Sequence, residues 1–138
     1  MTTLIGSTVL VTGASRGIGK AIALAMGKAG ARVALIADSD SSEVCQLITE
    51  AGGEARAYVT DVSEQDQVSR LFKDLLPDFK SFNILVNNAG VQLEKPLLET
   101  DLSEFEWVMG TNVRGTFLMG REAIRHMVAQ GVGGRVIN

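Results

Sequence analysis

Short apolar runs alternate with segments of helix-like composition along the whole chain. The apolar runs are nearly continuous rather than interleaved with polar residues, which is typical of strands buried on both faces of a parallel sheet. They lie at 9–11, 32–37, 55–60, 83–86 and 134–137. The intervening segments predict helices over about 17–29, 42–51, 63–77 and 103–130. Because strands and helices alternate, we expect βαβ units and an α/β fold with a doubly wound parallel sheet.

The ends of several predicted helices are marked by residues that stop or cap a helix. Gly30 is expected to end the first helix, and Pro77 to limit the third. Ser103 and Glu106 have the spacing of a capping box at the start of the long helix. The fifth strand has barely begun when the sequence stops. We therefore expect one domain over 1–138, truncated at the start of its fifth strand.

Composition and charge exclude several classes of function. The 138 residues carry 13 basic and 16 acidic side chains, a net charge of −3, with no basic cluster that indicates nucleic acid binding. Cys45 is the single cysteine, so neither a disulfide framework nor a metal site is expected. No apolar run approaches the roughly 20 residues of a membrane span, and the N-terminus lacks the features of a signal peptide. These properties predict a soluble, cytoplasmic protein.

The segment Thr12–Gly19, with the sequence TGASRGIG, joins the first strand to the first helix. Glycines let a backbone turn sharply and approach a ligand closely, and the N–H groups at a helix start attract phosphate. A nucleoside triphosphate loop is disfavoured because Ala14 and Ala21 replace its first glycine and its hydroxyl residue. The dinucleotide pattern Gly-x-Gly-x-x-Gly differs in spacing, although the strand–turn–helix context suits it. On this loop alone, a glycine-rich turn without a ligand stays open.

Three further motifs fall in later parts of the chain. Asp61-Val62 follows the third strand, Asn87–Gly90 follows the fourth, and Thr111–Val113 lies within the long helix. Together with the glycine loop, in order and approximate spacing, they make the whole chain similar to the short-chain dehydrogenase/reductase family. The last segments look like the glucose dehydrogenase and ketoacyl-reductase branches. The resemblance implies a Rossmann-like NAD(P)-binding domain with its ligand at the carboxyl ends of the strands.

The resemblance assigns a role to each motif. The glycine loop is expected to hold the pyrophosphate of the cofactor through residues that shape the turn or contact the phosphates: Gly13, Ser15, Arg16, Gly17, Ile18 and Gly19. Asp61 is expected to accept a hydrogen bond from the adenine amino group, with Val62 beside the ring. The nicotinamide ribose is expected to be lined by Asn88, Ala89 and Gly90, with Asn87 bracing the neighbouring strands.

Asn112 is implied as the catalytic asparagine, which bends the long helix and holds a proton-relay water. A polar residue in an apolar helix also suits a local kink or a bond to backbone, and the family pattern favours the catalytic role. The family donates its proton from a Tyr-x-x-x-Lys pair, with a serine after the fifth strand. The single tyrosine, Tyr58, has Val62 four residues later, and the sequence stops at Asn138. We therefore expect that the C-terminal catalytic part is absent and that this chain alone does not turn over; the alternative is a catalytically inactive dinucleotide-binding or subunit-interaction module.

The cofactor is expected to be NAD or NADP, and two residues point in opposite directions. Asp38 lies 19 residues after Gly19, close to the ~20 expected of an acid that binds ribose hydroxyls and repels a 2′-phosphate. In the family pattern the NAD-selecting acid aligns with Ala37, whereas Arg16 suits a 2′-phosphate. Because Asp38 stands where many NADP-using relatives carry arginine, the sequence favours NAD. A solvating role for Asp38 at a helix start also stays open.

The side chains of the long helix predict contact with a partner. The helix is apolar nearly all round from Phe105 to Val128, and a helix of this kind is normally buried on most sides. We expect a homo-oligomer formed through this segment, and a small carbonyl or alcohol substrate in the full enzyme. Trp107 is interpreted as a packing residue of the helix, and His126 as a surface or packing residue.

Overall fold

Five parallel strands form the centre of the computed structural model, which describes residues 3–138. Along the chain the strands are β1 (Thr8–Thr12), β2 (Arg32–Ala37), β3 (Glu54–Val59), β4 (Ile84–Val86) and β5 (Arg135–Ile137). Their spatial order is β3-β2-β1-β4-β5, so the order reverses between β1 and β4. The predicted doubly wound topology is confirmed. Met1 and Thr2, which belong to the predicted domain over 1–138, lie outside the described residues.

The helices begin and end close to the predicted positions, with two exceptions described below. They are α1 (Gly17–Lys28), α2 (Ser42–Glu50), α3 (Gln65–Phe79), α4 (Leu102–Met109) and α5 (Thr116–Ala129). A π-helical segment, Gly110–Gly115, joins α4 to α5, and a short 3-10 turn spans Leu97–Glu99. Gly30 follows α1 in the left-handed region, at φ +93°, and ends the helix as predicted. In the part of the chain that is described, no helix is both long and apolar enough to cross a membrane.

Side chains on both faces of the central strands β1, β2 and β4 are buried, which explains the nearly continuous apolar runs there. In β1, Val9 and Val11 pack with α1 and α2, whereas Leu10 packs with α3 and α5. All five residues of β1 are buried. Full burial of a Val or Leu side chain contributes about 1.5–3 kcal/mol before the entropy cost of ordering is subtracted. These two apolar layers fix the strands in register and place the loops at their carboxyl ends along one edge.

Pro77 does not end α3, contrary to the sequence prediction. The helix continues to Phe79, and Lys80 follows with a positive φ of +56°. Proline removes one backbone N–H and crowds the preceding turn, a cost that burial elsewhere in the helix can offset. Phe79 is fully buried, and the guanidinium of Arg32 lies 5.8 Å from its ring centroid. The last turn persists because it carries a core side chain.

The start of α4 is capped by different residues from those predicted. Asp101 and Glu104 form a capping box, in which each backbone N–H donates to the other residue's carboxylate at 3.0 Å. The Ser103 hydroxyl donates to Asp101 Oδ1 at 2.6 Å and lowers the pKa of that carboxyl. Lys95 Nζ lies 2.9 Å from Glu104 Oε2 and lowers the pKa of Glu104. The predicted box of Ser103 with Glu106 is wrong because Ser103 already lies inside the helix.

The long helix predicted over 103–130 is divided by the π-helical segment, and its two halves pack differently. α4, which is described throughout, buries no residue, whereas α5 buries one face against α3. The large exposed apolar side chains of the region are Leu102, Phe105, Trp107, Met109, Val113, Phe117, Ile124 and Val128. The interpretation of Trp107 as a packing residue is wrong for this chain, since it is 49% exposed. His126 does pack, stacked on Phe72 with ring centroids 5.5 Å apart.

Candidate functional site

A cleft of about 680 Å³ opens at the carboxyl ends of the strands, where their order reverses between β1 and β4. Open α/β sheets bind ligands at such a switch point, and pockets of a few hundred Å³ suit small molecules and cofactors. Nearly all the predicted cofactor residues line this cleft: Gly13, Ser15, Arg16, Ile18, Gly19, Asp38, Asp61, Val62, Asn88, Ala89 and Gly90. Gly17 lies in the same loop, between two of the lining residues.

Two glycines of the loop are required by its geometry, for different reasons. Gly17 begins α1 in the left-handed region, at φ +57°, and a Cβ there would meet no described atom within 4 Å. Gly19 is buried, and a Cβ there would overlap the carbonyl oxygen of Gly13 and lie 2.5 Å from Asn88 Nδ2. The close approach of α1 to the loop therefore depends on Gly19, and open access to the loop backbone depends on Gly17.

The N-terminus of α1 presents backbone donors to the cleft. Its N-cap residue, Arg16, makes no side-chain cap hydrogen bond to any described residue. The first N–H groups of a helix lack intrahelical partners, and the helix dipole adds partial positive charge at this end. The first turn of α1, all of which is described, holds no acidic residue to occupy these donors. The arrangement is an anion site of the kind that holds phosphate.

Thr12 and Asn88 join the glycine loop to the loop after β4. Thr12 Oγ1 accepts from the backbone N–H of Asn88 at 3.0 Å and of Ala89 at 2.9 Å. The side-chain amide of Asn88 donates in return to the carbonyl oxygens of Thr12 at 3.0 Å and Gly13 at 3.3 Å. Asn88 therefore braces the glycine loop, a bracing role that the sequence analysis gave only to Asn87. The sequence motifs predict no separate role for Thr12; the available signal is a hydroxyl residue that ends an apolar strand.

The loop after β3 holds the Asp61 carboxylate in a fixed orientation. Asp61 Oδ1 accepts from the backbone N–H of Ser63 at 2.9 Å and from the Ser63 hydroxyl at 2.7 Å. The Asp61 N–H donates to Gln67 Oε1 at 2.9 Å. Val62 is buried, and a Cβ at Gly115 would lie 2.7 Å from Val62 Cγ2, so the loop packs closely on the π-helical segment.

Asn112 lies in the π-helical segment and binds the backbone of the loop after β4. Its Oδ1 accepts from the Val91 N–H at 2.8 Å, and its Nδ2 donates to the Val91 carbonyl at 2.9 Å. Val91 lines the cleft. The helix departs from α geometry at Asn112, and the side chain bonds to backbone, which was one of the two interpretations of this residue. A catalytic role for Asn112 stays a prediction.

One wall of the cleft, which the sequence motifs do not predict, is formed by α4 and the π-helical segment. Its lining residues are Ser103, Glu106, Trp107, Gly110, Thr111 and Arg114. Their spacing of three and four residues repeats one face of a helix, and that periodicity was the available signal. The half-exposed indole of Trp107 therefore lies beside the cleft and not in the core.

Asp38 and Arg16, the two residues considered for cofactor choice, lie on neighbouring loops. Asp38 directly follows β2, Arg16 directly precedes α1, and both are exposed. The hydroxyl of Ser39 donates to Ser15 Oγ at 3.0 Å, which joins the two loops. A carboxylate and a guanidinium therefore lie at the same end of the cleft.

Tyr58 lies outside the cleft, on the edge strand β3. Its hydroxyl donates to Asp78 Oδ2 at 2.6 Å, and Arg56 Nη1 lies 3.0 Å from Asp78 Oδ1. Burial raises the pKa of Tyr58, and the hydrogen bond to Asp78 raises it further. A phenol that donates a proton to a substrate near neutral pH needs the opposite shift. Tyr58 therefore acts as a structural residue that links β3 to α3.

Comparison with known proteins agrees with the geometry. A family model described as short chain dehydrogenase matches residues 7–138. The chain is 38% identical over 135 residues to a glucose 1-dehydrogenase of Gluconobacter oxydans, an alignment that covers 96% of this chain and 51% of the relative. It is 38% identical over 141 aligned positions to a 3-oxoacyl-[acyl-carrier-protein] reductase of Synechocystis, covering 100% of this chain and 57% of the relative.

A solved structure of a similar protein has the same fold. The crystal structure of a short-chain type dehydrogenase/reductase from Mycobacterium marinum matches with a TM-score of 0.94 at 39% sequence identity. The match covers 98% of this chain and 56% of that one. The chain thus spans about half the length of the curated relatives it matches.

Proposed function

Since the chain belongs to the short-chain dehydrogenase family, we propose that it forms the NAD(P)-binding part of an oxidoreductase. The proposed reaction passes a hydride between the nicotinamide and a carbonyl or secondary alcohol. The observation that carries the proposal is the start of α1, where the side chain of the cap residue Arg16 does not cap the first N–H groups and the space beside Gly17 is open. A dinucleotide pyrophosphate fits this place because it is anionic and needs close approach to the backbone.

The remaining cleft residues would bind the two ends of the dinucleotide on opposite sides of the switch point. The base would lie at Asp61 and Val62, on the loop after β3. The nicotinamide ribose would lie at Ala89, Gly90 and Val91, on the loop after β4, where Asn112 holds the Val91 backbone by two hydrogen bonds. Two-point binding of this kind keeps the loop from shifting when a ligand enters.

When bound, the cofactor supplies the hydride acceptor or donor, and this chain's residues bind and orient it. Thr12 and Asn88 hold the two ends of the cleft together by four hydrogen bonds. Asn112 would act at the nicotinamide end, through Val91. Tyr58 has no part in the proton transfer, because its hydroxyl is bonded to Asp78 away from the cleft.

For the cofactor we propose NAD over NADP. Asp38 is exposed at the end of β2, where a carboxylate can accept from both ribose hydroxyls and repels a 2′-phosphate. Arg16 opposes this preference, since its guanidinium is also exposed at that end of the cleft. We give the Asp38 carboxylate more weight than Arg16 in cofactor choice because Asp38 directly follows the strand. Its negative charge would cancel the attraction between Arg16 and a 2′-phosphate.

We also propose a homo-oligomer formed through α4, the π-helical segment and α5. The supporting observation is the row of exposed apolar side chains there, which includes Phe117 at 59% and Val128 at 75% exposure. Contiguous apolar surface of this kind marks a protein interface. A cytoplasmic setting is proposed from the single cysteine, Cys45, as expected from sequence.

Cofactor binding is tested by titrating the protein with NADH while following the emission of Trp107, the single tryptophan. We expect saturable quenching, since Trp107 lines the cleft. Gly17→Ala places a methyl group in the open space beside the loop and is expected to weaken binding about tenfold, equivalent to ~1.4 kcal/mol.

Gly131→Ala is the matched control for this experiment. Gly131 has a φ of +64° and, like Gly17, no described atom within 4 Å of its Cβ position. The two variants therefore carry similar backbone strain, but Gly131 follows α5 and lies outside the cleft. Affinity for NADH that is equal in Gly17→Ala and Gly131→Ala would contradict the assignment of the loop.

A further inference from the structure

Arg114 reaches from the π-helical segment to the loop after β3. Its Nε donates to the carbonyl oxygen of Ser63 at 2.9 Å, between residues 51 positions apart in the chain. Gly110 leaves room for this contact, because a Cβ there would lie 3.0 Å from Arg114 Nη2 and 3.6 Å from Ser63 Cβ. Arg114 is exposed and lines the cleft. The contact is therefore built into the cleft wall by a glycine that accommodates the guanidinium.

Ser63 in turn sets the orientation of Asp61. Both the backbone N–H and the hydroxyl of Ser63 donate to the same carboxylate oxygen, Oδ1. Any movement of Ser63 therefore turns or releases the carboxylate. Arg114 is a charged donor bonded to the Ser63 carbonyl. It therefore holds Ser63, and through Ser63 the Asp61 carboxylate, from the opposite wall of the cleft.

We propose that Arg114 is a positioning residue for base recognition, which acts through Ser63 on the Asp61 carboxylate. This inference rests on the proposed function, in which Asp61 accepts from the exocyclic amino group of adenine. Ser63 occupies Oδ1, so the base takes the other oxygen, Oδ2. Arg114 itself contacts the protein backbone, and its effect is on discrimination among bases.

The test compares NAD with nicotinamide hypoxanthine dinucleotide, which carries an oxygen in place of the exocyclic amino group. The measured quantity is the ratio of the two dissociation constants for the wild type and for Arg114→Gln. The wild type is expected to prefer NAD, and Arg114→Gln to reduce that preference about three- to fivefold, the scale of one hydrogen bond. The ratio is insensitive to a general loss of affinity or of phosphate attraction, because both ligands carry the same pyrophosphate.

Arg125→Gln is the matched control, since it removes the same charge from α5. Arg125 Nη1 is bonded to Glu122, outside the cleft, so the ratio should stay at its wild-type value. Arg114→Lys should restore part of the preference, because an ammonium can still donate to the Ser63 carbonyl. Ser63→Ala is a second route to the same result, as it removes one of the two bonds to Asp61.

Each outcome decides between the claims. Reduced preference for NAD in Arg114→Gln and in Ser63→Ala supports the positioning role. A wild-type ratio in both variants overturns it while leaving the proposed function intact. A wild-type protein that binds neither dinucleotide contradicts the proposed function itself.

Discussion

Replacing Thr12 by valine tests the hydrogen bonds that join the glycine loop to the loop after β4. Valine keeps the branched shape that suits a buried strand and replaces the hydroxyl with a methyl group. Thr12 is 2% exposed, and its Oγ1 accepts from the N–H groups of Asn88 and Ala89 at 3.0 and 2.9 Å. The Ala89 donor loses its acceptor in the variant, whereas the Asn88 N–H keeps a second bond, to the Val86 carbonyl at 3.1 Å.

The expected loss follows from the number and burial of these donors. A buried donor left unpaired costs about 1–3 kcal/mol. Asn88 and Ala89 are half-buried, so water reaches them in part and the lower half of the range applies. One unpaired donor at about 1–1.5 kcal/mol therefore predicts a decrease of about 1–1.5 kcal/mol in the free energy of unfolding.

Urea denaturation followed by circular dichroism measures this change. Thr12→Ser keeps the acceptor and should lose only about 0.8 kcal/mol, the burial of one methyl group. Thr49→Val is the matched control, because the Thr49 hydroxyl donates to the Cys45 carbonyl at 3.1 Å on an exposed face of α2. It should change stability by less than about 0.5 kcal/mol. A loss in Thr12→Val no larger than that in Thr49→Val would refute the reasoning.

Asp38→Arg should raise the affinity for NADPH relative to NADH by about tenfold, because a carboxylate that repels a 2′-phosphate becomes a guanidinium that pairs with it. An unchanged ratio of the two dissociation constants would show that Asp38 has no role in cofactor choice. Phe117→Glu should reduce self-association measured by sedimentation velocity. Val59→Glu, on the edge strand β3 and similarly exposed, should not reduce it. Equal self-association of the two variants would contradict an interface formed through α4 and α5. The pKa of Tyr58 is raised above its unfolded value of about 10, so the stability contributed by the neutral phenol is fully present below about pH 10 and is lost as the pH rises further. Urea denaturation should therefore show the wild type losing stability more steeply than Tyr58→Phe above pH ~10, and parallel curves would show that the folded-state pKa is not raised.

The elements that local pattern predicted well are those whose burial is uniform along the chain. The strand over 32–37 was predicted with the bounds that β2 has, because both of its faces are covered and every residue is apolar after the first. Gly30 ends α1 as predicted, since a positive φ there is a local requirement. The cleft also followed from sequence, because parallel strands bring their carboxyl ends, and so the four motifs, to one edge.

The errors arose where a distant contact overrides a local rule. Pro77 is tolerated inside α3 because Phe79, two residues later, is buried in the core. The cap of α4 is a different case, because Asp101 and Glu104 themselves have the capping-box spacing and precede the predicted pair in the chain. The bond of Arg114 to Ser63 had no local signal, since the two residues are close only after the sheet has formed. Such residues become visible when the fold places the two walls of the cleft opposite each other.

The π-helical segment fixes the phase between α4 and α5. Each residue turns an α-helix by about 100°, and a π turn accommodates one additional residue without extending the regular winding. A single-residue deletion within Gly110–Gly115 would therefore let the segment wind as a regular α-helix, with Leu118 still in the core. It would displace Asn112 from the Val91 backbone, because Asn112 lies in the segment that rewinds. Chain length is thus constrained at this turn, whereas the exposed turn Leu97–Glu99 can lengthen without disturbing either contact.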